Sequence, residues 1–174
     1  MIGIVLLLGF FLIAGLLVYG GMNNWFIVLE FEREIEGHFD YADRSSDAST
    51  KLEYFNKFID AVEKNGLTNG TNSVFFQEQP KASLSENYKV AKSLQSRLEA
   101  ISQLDPQSFE YSNNMQQITL QEFCWFPINV FQQGYLIKNG GWGWALFPPD
   151  VENRCVTKKT DNYGYNIAMD YLFK

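Results

Sequence analysis

Eighteen consecutive residues, Ile2 to Tyr19, carry no charge and no polar side chain before the terminal tyrosine. That length matches the roughly 20 residues that cross a hydrocarbon core of about 30 Å at ~1.5 Å rise per residue. A helix apolar on every face must either span a bilayer or lie wholly inside a large core. A chain of 174 residues leaves about 150 outside the run, one domain of ordinary size, so the first choice is expected. A cleaved signal peptide fits poorly. No Lys or Arg precedes the run, and Leu17-Val18-Tyr19 offers no small-residue cleavage pattern. The expectation is an uncleaved single-pass anchor, in contact with the lipid bilayer through residues 2–19.

Gly20-Gly21-Met22-Asn23-Asn24 reads as a short polar connector, so anchor and connector together occupy residues 1–24. Trp25 follows, and an indole beside two asparagines suits the headgroup layer, where one amphipathic edge meets apolar chains and the other meets water. Val28, Phe31, Ile35 and Phe39 then fall at helical spacing, with acidic residues between them.

Two further helices announce themselves by their caps. Thr50-Lys51-Leu52-Glu53 matches a capping box ahead of the stripe Leu52, Phe55, Ile59 and Val62, and Asn65-Gly66 supplies a stop. Ser83-Leu84-Ser85-Glu86 opens a longer stripe through Leu84, Tyr88, Ala91, Leu94, Leu98 and Ile101, ending near Asp105-Pro106. A fourth helix is expected from Asn113 to Phe126 through Met115, Ile118 and Trp125, with Pro127 as its end. The fold class is therefore mainly α: the N-terminal span, then a bundle-like domain of three or four helices over residues 25–127. Residues 128–174 form an aromatic-rich, irregular C-terminal part in which short strands are admissible, as they are at Val74-Phe75-Phe76.

Chemistry is sparse. His38 is the single histidine, so zinc sites and His-dependent triads lack partners. Glu30, Glu34 and His38 share a four-residue spacing, as do Glu32, Glu36 and Asp40, and both sets read as a solvated acidic helix face. Phosphate-cradling glycine motifs are missing. The net charge of −6 argues against a nucleic-acid partner, since phosphate binding needs a concentrated basic surface. No catalytic residue, metal or cofactor is expected, and the chain does not read as an enzyme.

Contact residues are easier to name. Trp25 and the Gly/Pro-rich loop bearing Trp142, Trp144 and Phe147 are candidates for a partner or the membrane interface, because Trp anchors dominate interface hot spots. The alternative for the loop is that its rings fold back onto the core. Cys124 and Cys155 can either pair or lie separately buried as thiols. An acidic flank after the anchor, together with the cysteine pair, places the domain on the extracytoplasmic side, against a weak opposite signal from the positive-inside rule.

The order of parts resembles the LemA family: an N-terminal span, an asparagine just after it, then long helices. Ser93-Leu94-Gln95-Ser96-Arg97-Leu98 and Asn113-Asn114-Met115-Gln116-Gln117-Ile118-Thr119-Leu120-Gln121-Glu122 are similar in style to that family's later helices. The resemblance implies a membrane-anchored helical bundle and no defined enzymatic role. Two function classes follow. One is a non-catalytic accessory or scaffold subunit of a larger membrane assembly, with other membrane subunits as partners. The other is a free-standing tethered module that binds a small apolar ligand or a peptide.

Overall fold

Neither a proline nor a charge interrupts the chain from Ile2 to Leu29. In the computed structural model, which describes residues 2–70 and 83–141, helix α1 spans Ile2–Phe31 without interruption. The expected connector at Gly20 to Asn24 is thus a correction: those residues are helical and supply no joint. Among the described residues this is the one helix long and apolar enough to cross a membrane.

The helix then widens rather than stops. Glu32–Glu36 is a π-helical turn, and α2 continues from it over Gly37–Arg44. The sequence explains the widening. Phe31, Ile35 and Phe39 repeat at a strict interval of four, which drifts by about 40° per step on an α-helix. One wide turn offsets that drift, and all three side chains are fully buried.

Helix α3 spans Ala48–Lys64. Its cap is Asp47, not the expected Thr50: the Asp47 carboxylate accepts from the Thr50 amide at 2.8 Å. The same hydrogen bond, followed by one from Ser49, holds the Asp47 carboxyl below its ordinary range. Tyr111 supplies a second cap, its hydroxyl oxygen accepting from the Ala48 amide at 2.9 Å. At the other end Gly66 takes φ +62, and the amides of Leu67 and Gly66 donate back to Val62 and Glu63 at 2.9 Å. This closing pattern satisfies two orphan carbonyls and tucks Leu67 into the core.

Helix α4 spans Leu84–Ser102, capped as expected by Ser83 accepting from the Glu86 amide. Helix α5, Phe109–Gln117, starts four residues before the expected helix, on the cap Ser108. It too passes into a π-helical turn, Ile118–Phe123, which brings Ile118 and Phe123, five apart, onto one buried side. Trp125, expected within this helix, is 54% exposed. After Pro127 the chain forms α6, Ile128–Lys138, a helix where an irregular segment was expected.

No strand occurs among the described residues. The strand expected at Val74-Phe75-Phe76 and those expected near the C-terminus lie outside the described residues. Helix α3 packs between α2 and α4, while α6 packs along α1 and reaches α4. The core these elements share is aromatic. Phe39 stacks on Phe126 at 4.6 Å and on Phe123 at 5.2 Å, and meets Phe58 and Phe55 edge-on at 5.5 and 6.2 Å. Phe131 of α6 joins through Phe58 and Phe126.

The α4 stripe faces this core as its spacing predicts: Ala91, Leu94 and Leu98 are buried, and Tyr88 is half-buried. Leu98→Ala or Leu94→Ala is therefore expected to cost about 2–5 kcal/mol, through lost transfer energy and a residual cavity. Denaturation in mild detergent measures it. Unchanged midpoints in both variants would contradict the inward placement of that face.

Candidate functional site at the junction of span and domain

Where α1 meets the domain its sides part company. Ile27 and Phe31 are buried toward α6, and the Phe31 ring lies 5.7 Å from that of Tyr135. Burial, followed by the nearby Glu30 carboxylate, pushes the Tyr135 hydroxyl above its ordinary value. Asn24 is half-buried, its side-chain oxygen 3.1 Å from where a Cβ on Gly141 would lie. Gly141 needs its missing side chain there, because Leu136 also approaches to 2.9 Å. The opposite side is bare: Met22, Trp25, Phe26 and Leu29 are 55%, 59%, 57% and 39% exposed. Trp25 therefore stands on the surface, its ring 5.3 Å from that of Phe26.

Beyond the junction, an open cleft of about 440 Å³ separates the first π-helical turn and α2 from α3. Arg33, Glu34, His38, Lys57, Asp60 and Lys64 line it. Glu34 and His38 are thus together, as their spacing predicts, but on a mixed-charge wall rather than a purely acidic face. Arg33 pairs with Glu34 at 3.3 Å and Lys57 with Glu53 at 2.7 Å. No group of three metal-ligating side chains occurs among the described residues. Both pairs are exposed to solvent, which screens them, so they add little to the stability of the fold.

The most unusual ionisable group lies elsewhere. Lys51 is fully buried in the first turn of α3. Its ammonium donates to the carbonyls of Ala42 at 2.7 Å and Asp43 at 3.1 Å, the last turn of α2. The same nitrogen sits 4.3 Å from the centre of the Phe123 ring. Burial lowers its pKa to about 8, partly countered by Asp43 and Asp47. A buried lysine with a depressed pKa is a catalytic signature when it faces a cavity. Here it faces carbonyls and a ring, and it ties α2, α3 and the second π turn together.

Its titration has a definite sign. Folded Lys51 loses its proton near pH 8 and the unfolded chain near 10.5, so the folded state binds fewer protons between those values. The burial cost is complete below pH 8 and is released as pH rises through the window, by up to about 3 kcal/mol. Tyr88, pushed up to about 12 by burial and by its hydrogen bond to Glu63, acts oppositely, but only above pH 10. Between pH 8 and 10 the native protein is expected to gain stability relative to Lys51→Met, measured by denaturation at each pH. Parallel curves for the two proteins would refute a depressed lysine.

Of the contact residues expected from sequence, only Trp25 can be placed, and it is exposed on α1. Trp142, Trp144, Phe147 and Cys155 lie outside the described residues. Cys124 is buried after the second π turn, and its sulfur is disulfide-bonded. Sequence reading missed Lys51. The signal was there: Lys51, Phe55, Phe58 and Val62 follow one inward stripe, and the lysine occupies its first position. No known family matches the chain, no curated protein matches it, and no solved structure is similar to it.

Proposed function

We propose that the chain is a single-pass membrane protein acting as a non-catalytic accessory or scaffold subunit of a larger membrane assembly. The observation that carries this reading is the unbroken passage of α1 through Gly20–Asn24 into the domain, where Ile27 and Phe31 already belong to the core. A domain welded to its anchor cannot search far from the bilayer. It is suited to neighbours that meet span and domain together. A free-standing binding module would gain from a flexible tether, which sets its reach and effective concentration. The order of parts similar to the LemA family supports the same reading, because that family implies an anchored helical bundle.

We place the domain on the extracytoplasmic side. Cys124 is disulfide-bonded. Such bonds persist in oxidising compartments. Purification in mild detergent tests the main reading: stoichiometric partners are expected to co-migrate with the chain. A monodisperse protein without partners would overturn it in favour of the binding module.

A further inference from the structure

The bare side of α1 beyond the first eighteen apolar residues is a surface without a described cover. Between Ile2 and Leu29 there is no charged residue, a run of twenty-eight positions closed by Glu30. As one continuous helix it measures about 42 Å, well beyond a hydrocarbon core of about 30 Å but equal to the roughly 40–45 Å of a bilayer with its headgroup layers. At ~100° per residue, Met22, Trp25, Phe26 and Leu29 lie within about 100° of the helix circumference. The exposed Val18 and Phe11 of the span lie on the same side, so the apolar strip continues without a break.

The polar residues of this stretch do not interrupt it. Asn24 turns toward the domain, beside Gly141 and the end of α6. The strip then presents lipid-soluble chains with an aromatic pair, Trp25 and Phe26, at its outer end, where amphipathic rings are favoured.

We infer that the Met22–Leu29 side of α1 is seated in the lipid headgroup layer, so that the membrane ends at Glu30 and not at Tyr19. The occupant of this face is lipid, because the face is continuous with that of the span and ends at the first charge. The inference rests on the reading that α1 crosses the bilayer. Its consequence is that the C-terminal end of α6, packed beside Asn24, rests on the bilayer surface. The cleft lined by Arg33, His38 and Lys64 then opens just above the headgroups.

The full chain in phosphatidylcholine vesicles carries the test, with lipids brominated either near the headgroup or near the chain ends, and with iodide as aqueous quencher. Native protein is compared with Trp25→Phe, a change on an exposed side chain that leaves the core intact. The fluorescence component lost in the variant is expected to be quenched by the shallow bromines and shielded from iodide. A component open to iodide and untouched by either lipid would overturn the inference. A Phe11→Trp, Trp25→Phe variant separates the two readings, since residue 11 lies deep in the span. If its added indole is quenched by the deep bromines while Trp25 is quenched only by iodide, the span stands and the headgroup seating fails. If neither indole responds to brominated lipid, both fail.

Discussion

Phe39→Ala is expected to cost about 3–5 kcal/mol, the largest effect of any single truncation in the domain. The ring lies at the centre of the core, stacked against Phe123 and Phe126 and edge-on to Phe55 and Phe58. Three parts of the chain therefore converge on one side chain: α2, α3 and the segment running from the second π turn into α6. Its removal loses the burial of a large ring, leaves a cavity walled by stiff rings that collapse poorly, and breaks several aromatic pairs worth about 0.5–1.5 kcal/mol each. Phe39→Leu, which keeps most of the volume, is expected to lose less than half as much. Phe109→Ala serves as the control, since that ring is 86% exposed and its loss should stay within about 0.5 kcal/mol. Chemical denaturation in mild detergent, followed by circular dichroism, reads all three. A loss below about 1 kcal/mol for Phe39→Ala would mean that the ring cluster does not hold the domain together.

Much of this core is written plainly in the sequence. The four-residue spacing of Phe31, Ile35 and Phe39 and the stripe from Leu84 to Ile101 give both the helices and their inward sides. What periodicity does not reveal is how a helix accommodates a spacing that its own pitch does not match. Strict intervals of four, or a jump of five from Ile118 to Phe123, are read as ordinary α-helix until the π turns appear. The end of α5 is misread for the same reason: once the turn widens, Trp125 leaves the inward side. Helix α6 is hidden differently. Ile128, Val130, Phe131, Tyr135 and Leu136 are buried on several sides of the helix, so it has no amphipathic period to detect.

The junction is legible only in part. Trp25 is identified by residue type and context, but Gly20-Gly21 and the two asparagines suggest a short connector where the chain is helical. Glycine lowers helix propensity by about 1 kcal/mol relative to alanine, a bias that a long apolar helix overrides. Lys51 is the opposite case. A lysine after a helix cap is usually solvated, and the carbonyls of Ala42 and Asp43 in the last turn of α2, brought near by the sharp α2–α3 turn, give it a reason to be inside.

That rigid junction leads to the second large effect, which depends on helical phase. Inserting two alanines after Val18 turns the domain by about 200° relative to the span and lifts it by about 3 Å, whereas four alanines turn it by only about 40° and lift it by about 6 Å. Neither insertion touches the core, whose first member is Ile27, so both variants are expected to denature like the native protein. An added turn of apolar helix is absorbed by a small change in tilt. If partners grip the span and the domain at once, the two-alanine variant presents one of those surfaces to the wrong side. Its co-purification with stoichiometric partners is expected to fall by more than about tenfold, as it would if one of two linked contacts were lost. The four-alanine variant is expected to keep most of its yield despite its longer insert. The ordering is the informative part, because loss that simply grows with length would point to distance from the membrane rather than to direction. Equal yields from both variants would show that span and domain are recognised separately, and the tethered binding module would become the better reading.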